Sequence, residues 1–327
     1  MKARLTDNSQ TNCLTEVFFE DAIRRAEELD REQASNPNQP LRPFHGLPIS
    51  LKDSFRIPGC DSSIGLICFA NKPDEEYSAL SRLLLDLGAV LYCKTNVPQT
   101  MMTADSDNNV FGRTLNPANV KLTAGGSSGG EGALISMHGS VLGVGTDVAG
   151  SIRIPSLCNG IYGLRTSVGL VPWASQKDPV APGTDGVAPV AGPMASSLRS
   201  CDFFMSTLAK SEAWKYDESC LHLDRWESRL KNSGLRIGIA RNDGMCTPWP
   251  PVRRAIDDAA LKLRSAGIDL IELNMPDIRE AVSTTYRMYS LDGCKVSFSF
   301  TFQLKMLTHR SLSRISSRKA KSPRSNL

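Results

Sequence analysis

The stretch TAGGSSGGEGA, residues 123–133, sets two glycines, two serines and two more glycines in one uninterrupted run. Three readings compete for it: a flexible linker, a phosphate cradle, or a backbone that takes uncommon angles to present a serine. A linker continues polar on both sides. Here EGALISM (131–137) follows at once, an apolar helical stretch, so a linker is disfavoured. A phosphate-binding loop reads G-x-x-x-x-G-K-[ST]. Gly125 and Gly130 have that separation, but Glu131 stands where the lysine should be and would repel phosphate. The other glycine cluster, GVGTDVAG (143–150), misses the dinucleotide pattern G-x-G-x-x-G, because four residues separate Gly145 from Gly150.

The third reading gains support from GTDVAGSIRIP (145–155). Glycine before a serine allows unusual backbone angles and leaves room for a substrate. The successive N–H groups of Val148, Ala149, Gly150 and Ser151 could converge on one point, which is how an oxyanion hole is made. Ser127 and Ser151 thus lie 24 residues apart in two glycine-rich loops that bracket a helix and a strand. A nucleophilic serine needs a base. None of the four histidines (His45, His138, His222 and His309) stands out as one. Lysine is the other option, since a desolvated ammonium gives up its proton readily. GLPISLKDSF (46–55) puts Lys52 directly after the apolar run Leu47–Leu51. A lysine at the end of a buried strand is unusual. On spacing alone, the bland alternative of a surface pair between Lys52 and Asp53 weighs about the same.

Composition sets the frame. The chain has 327 residues, 41% hydrophobic and 22% charged, enough apolar content for a large core in one large domain or two medium ones. No run of about 18 apolar residues exists to cross a membrane as a helix. The N-terminal MKARLTDNSQTNCLTE lacks the apolar core of a secretory signal. Nine scattered cysteines without a C-x-x-C pair read as reduced thiols rather than a disulfide frame or zinc site, and so as a cytoplasmic protein. The net charge of +4 comes from the tail: eight Lys/Arg and no acidic residue follow Gly293, and the rest is acidic by about 4. A basic tail can attract nucleic acid. This one is serine-rich without interleaved stacking aromatics, so a solvated tail is the expectation and no nucleic acid partner is expected.

Helical and strand patterns alternate. Thr15–Glu32 places Phe18, Ala22, Ala26 and Leu29 on one helical face. Strands are expected at 47–51, 89–93, 141–144, 235–240 and 268–273. Helices are expected at 78–87, ended by Gly88, at 131–138, and at 251–266 between Pro251 and Gly267. Residues 172–193, with five prolines and three glycines, read as a long irregular loop. The alternation predicts an α/β architecture with a substantially parallel sheet.

Taken together, PISLKDSF, KTNVPQTMM (94–102), TAGGSSGGEGALI (123–135) and GTDVAGSIRIPS (145–156), followed by AGPMA (191–195), resemble the amidase signature family in motif order and spacing. The resemblance covers roughly residues 11–292, and GEGALI and PQTMM look most like the fungal acetamidase and fatty-acid-amide-hydrolase branch. It implies a central mixed, largely parallel β-sheet covered by helices, and hydrolysis of a carboxylic acid amide to carboxylate and ammonia or amine. By position, Ser151 matches the nucleophile that forms the acyl-enzyme. Ser127 matches a bridging serine that follows a cis peptide, and Lys52 the neutral base. Val148, Ala149, Gly150 and Ser151 match the oxyanion donors, and Met101 matches a residue lining the acyl side of the pocket. Ser128 is expected to support the relay, with Asp147 and Arg153 bracing the loop. The resemblance implies a small-molecule amide substrate, no metal and no cofactor, and leaves room for a homodimer.

The ends differ from the family. The chain opens close to the segment TNCLTE, and the resemblance stops after YRMYSLDG (286–293), so the C-terminal part of the fold is expected to be missing. This gives a partial amidase-signature domain at 1–292 and a disordered basic tail at 293–327. Lys295-Val296-Ser297 is also what a eukaryotic splice donor encodes, so the tail from about Lys295 is expected to be intron read-through. Two functions remain open: a serine amidohydrolase, and an inactive fragment or pseudoenzyme that keeps the motif.

Overall fold

A computed structural model describes residues 11–179, 186–222, 235–289 and 291. The tail expected at 293–327 lies outside the described residues. The chain divides into two compact units, the smaller comprising residues 227–293 together with 185–187.

In the larger unit, β1 (Leu14–Val17), α1 (Phe19–Ser35), β2 (Pro48–Lys52), α2 (Ala79–Asp86) and β3 (Val90–Thr95) come first. A short hairpin of β4 (Leu115–Asn116) and β5 (Asn119–Thr123) leads into α3 (Gly129–Ser136) and β6 (Leu142–Asp147). Then follow α4 (Arg153–Asn159), β7 (Tyr162–Gly163), β8 (Val190–Ala195) and α5 (Leu198–Ala209). Six strands form one mixed sheet in the order β1-β3-β2-β6-β8-β7. It is parallel at its centre, where β2 pairs with β3 and β6, and antiparallel toward both edges. The helix pattern that began at Thr15 is divided: Leu14–Val17 is an edge strand and the helix starts at Phe19, burying Ala22 and Leu29. The irregular stretch at 172–193 ends in β8, the partner of β6 along its whole length.

The sheet's period of two decides which side chains meet. Ile49 and Leu51 of β2 enter one core with Phe44, Leu80, Leu83 and Phe204. Ser50 and Lys52 take the opposite face, beneath α3. On that side Leu29, Tyr92, Ala133 and Leu134 form a second core. Every residue of α3 from Gly129 to Ile135 is buried. Its glycines are there for close approach: a Cβ at Gly130 would stand 2.6 Å from the Cys13 carbonyl oxygen and 2.7 Å from that of Asn96. The glycine run therefore lets a helix sink its first turn into the sheet side of the core.

The smaller unit contains β9 (Arg236–Ile239), α6 (Pro250–Ser265), β10 (Asp269–Glu272) and α7 (Arg279–Met288), with β9 and β10 pairing in parallel.

Candidate active site

Lys52 is the last residue of β2 and wholly buried. Its Nζ lies 2.7 Å from Ser127 Oγ and 2.6 Å from Thr146 Oγ1, with the Thr146 carbonyl oxygen at 3.5 Å. A neutral amine has two protons and one lone pair. A protonated amine donates to Ser127 and to both Thr146 oxygens; in the neutral amine, with Thr146 taking both protons, the lone pair faces the Ser127 hydroxyl. Burial drives the Lys52 amine down to about 7, against the opposing pull of nearby carboxylates, Asp147 foremost.

Asp53 does not pair with Lys52. Adjacent strand residues point to opposite faces. The Asp53 carboxylate accepts from Thr15 Oγ1 at 2.8 Å, Ser63 Oγ at 3.1 Å and the Ile64 N–H at 2.7 Å, and both residues are wholly buried rather than at the surface.

The Gly126–Ser127 peptide is cis. Ser128 ties the two glycine-rich loops: its N–H donates to the Ser151 carbonyl at 3.1 Å, and its Oγ lies 3.3 Å from the Thr146 N–H. Ser151 is half-buried in the loop after β6, preceded by Gly150 at φ +127°, a backbone angle that favours glycine. Among the described residues, the Ser151 hydroxyl takes no hydrogen bond.

Asp147 organises this loop. It accepts from the Gly150 N–H at 2.8 Å and the Ile152 N–H at 3.1 Å, and Arg153 forks onto both its oxygens at 3.1 and 3.0 Å. Burial would raise the Asp147 carboxyl, but these bonds outweigh it and hold the group below the usual carboxylate range. The Gly150 N–H is thus directed onto Asp147. Among the described residues, the N–H groups of Ala149 and Ser151 carry no such bond, while Val148 makes contacts of its own. Met101 stands outside the hydrogen-bonded group. It takes the left-handed conformation (φ +60°) beside Thr100 (φ +61°) and packs with Ile64, Leu66, Cys68 and Phe69.

Two features escape the sequence reading. Thr146 supplies both acceptors to Lys52 besides Ser127. Glu131 is buried beneath the sheet, accepting from Thr95 Oγ1 at 2.9 Å and lying 2.6 Å from Ser50 Oγ. A glutamate in an otherwise apolar, glycine-rich helix was the available signal.

A family model described as "Amidase" matches residues 1–326. An "Amidase" of Gibberella moniliformis is 39% identical over 291 residues, covering 89% of this chain and 54% of that protein. An "Acetamidase" of Emericella nidulans is 42% identical over 264 residues, covering 79% and 48%. The chain belongs to the amidase signature family. A solved "Fatty acid amide hydrolase" superposes with a TM-score of 0.85 at 34% identity, over 90% of this chain and 52% of the other. This amidase-signature chain thus spans about half the length of the curated relatives it matches.

Proposed function

We propose that this amidase-signature chain hydrolyses a linear carboxylic acid amide through Ser151, Ser127 and Lys52. One observation carries the reading: the amine of a wholly buried lysine, which burial pushes toward its neutral form, lies 2.7 Å from the Ser127 hydroxyl. Neutral Lys52 takes the Ser127 proton while Ser127 takes that of Ser151. Ser151 Oγ then bonds to the amide carbon, and the carbonyl electrons move to oxygen. The N–H groups of Ala149 and Ser151 hold that oxyanion. Collapse breaks the C–N bond, and the leaving nitrogen receives the proton back along Lys52 and Ser127. Water repeats the sequence on the acyl-enzyme, releasing the carboxylate and restoring Ser151. Met101, with Phe69 and Ile64, forms the wall for the acyl group. The names of the relatives, acetamidase and fatty acid amide hydrolase, support a linear amide as substrate.

The test is labelling with a serine-reactive fluorophosphonate, alongside hydrolysis of acetamide and longer acyl amides. The expected result is stoichiometric labelling at Ser151 and release of ammonia. A folded protein that neither labels nor hydrolyses would instead be an inactive chain that keeps the motif.

A further inference from the structure

Glu131 sits in the first turn of α3, wholly buried, and no step above uses it. Its place is ordered relative to the base. Ser127 and Glu131, four residues apart, overlie Lys52 and Ser50, two residues apart on β2. Thr95, the other partner of Glu131, is the register partner of Lys52 across the β2–β3 ladder. Room for the carboxyl exists only because residue 143 is glycine, whose Cβ would overlap Glu131 Oε2.

The hydroxyl protons can be counted. Ser140 Oγ donates its one proton to the Leu142 carbonyl at 2.9 Å. Ser50 Oγ lies 2.8 Å from Ser140 Oγ, so that bond uses the Ser50 proton. Thr95 gives its proton to Glu131 Oε1. The 2.6 Å contact between Ser50 Oγ and Glu131 Oε2 then needs a further proton, which the carboxyl itself supplies. With Glu131 ionised, Ser50 must donate to it, and Ser140 must leave the Leu142 carbonyl to keep its bond to Ser50. With the Thr95 proton on Glu131 at 2.9 Å rather than on the Leu51 carbonyl at 3.4 Å, the acid form keeps every bond along Glu131, Ser50 and Ser140, and the ionised form loses one.

We propose that Glu131 is a positioning residue for the base: it stands as the neutral acid, donating to Ser50, and by holding its own proton it lets Lys52 lose one. This rests on the amidase reading, in which Lys52 works as a neutral amine. An ionised carboxylate in this position would favour the protonated amine. Burial raises the Glu131 carboxyl from the ordinary carboxylate range to about 7, which favours the acid form. It is faced by Lys52 from β2, by Tyr92 and Cys93 from β3, and by Cys13 ahead of β1. Burial raises the phenol and both thiols, so these three remain neutral. On the Lys52 side stand Asp147, Asp53 and Asp178.

Two variants test this. Glu131→Gln copies the bonds of the acid, its amide donating to Ser50 and accepting from Thr95. A neutral amide replaces a neutral acid, so the variant is expected to keep both the high-pH rate and the midpoint of the pH–rate rise. Ser140→Ala frees the Ser50 proton for the carboxylate, favours ionised Glu131, and is expected to move that midpoint up. A packing role alone would cut the rate in both variants and leave both midpoints fixed. A midpoint that falls in Glu131→Gln, as when a carboxylate is removed, or one that stays fixed in Ser140→Ala, overturns the proposal. Carbon-13 NMR of glutamate-labelled wild-type protein separates this from failure of the amidase reading. A Glu131 carboxyl, assigned by its loss in Glu131→Gln, that is still protonated at a pH where nitrogen-15 NMR shows the Lys52 amine neutral supports the proposal without any turnover. An ionised one overturns it.

Discussion

Lys52 and Ser127 are 75 residues apart in the chain and 2.7 Å apart in the fold. The contact depends on β2 ending under the first turn of a helix that has almost no side chains there.

Lys52→Met should lower amide hydrolysis roughly 10²–10⁴-fold, the usual contribution of a general base. It should also stabilise the fold, since a buried amine is replaced by a side chain of similar length. The pH dependence has a definite sign. The lysine is lowered from 10.5 to about 7 on folding, so between those values the unfolded chain binds more protons and wild-type stability rises with pH. The melting-temperature gain of the variant should therefore be larger at neutral pH than at about pH 10. An equal gain at both would show that Lys52 is not depressed.

The same group sets the activity profile. Below about 7 the lysine is protonated and cannot accept from Ser127. The rate should rise with unit slope in acid and flatten above that value, as measured by initial rates with a saturating amide.

Ser151→Ala should abolish fluorophosphonate labelling and reduce hydrolysis roughly 10³-fold or more, with an unchanged melting curve. Ser127→Ala should retain slow labelling, because it removes the relay and leaves the nucleophile. Labelling that persisted in Ser151→Ala and moved to Ser127 would reverse the two roles.

Thr146→Val removes a hydroxyl that accepts from Lys52 at 2.6 Å. The acceptor favours the charged amine, so its loss should move the activity midpoint to lower pH. The plateau rate should drop as well, since the lone pair is no longer oriented. A variant with an unaltered profile would leave Thr146 with a packing role only.

Gly130→Ala should destabilise the protein by about 1–3 kcal/mol or more, because the atoms a methyl would meet are backbone and cannot swing aside. Gly132→Ala meets the Asn159 side chain among its neighbours and should cost less. Urea midpoints of the two variants check the order.

Much of this site was legible in residue types. A lysine closing an apolar run stood out, though spacing alone weighed it equally against a surface pair with Asp53, and glycines flanking Ser127 and Ser151 marked backbones under close approach. Thr146 was not legible, because a threonine in a strand is ordinary there and only the fold turns its hydroxyl onto Lys52. Glu131 was read as a missing phosphate-binding lysine, and nothing local shows that Ser50 and Thr95 converge on it. In the fold, β1 was absorbed into the helix pattern beside it, since four residues cannot separate a period of 2 from one of 3.6. β8 was hidden by Gly192 and Pro193, which break most strands. Pro193 is accommodated between β6 and β7, where its carbonyl accepts the Leu164 N–H at 3.0 Å.

The crowding around α3 and β6 also decides where this protein can be re-engineered. At Gly143 an added methyl would collide with Glu131, and at Gly145 it would stand 2.7 Å from the Met194 sulfur and 2.8 Å from Ser128 Oγ. Saturation libraries spread over residues 124–147 would return mostly unfolded clones. Libraries confined to Phe69, Met101 and Lys177, whose ammonium lies 4.1 Å from the centre of the Phe69 ring, vary a surface that adjoins solvent and keep the catalytic frame intact. On the proposed amidase reading, new acyl preferences should be sought on that wall.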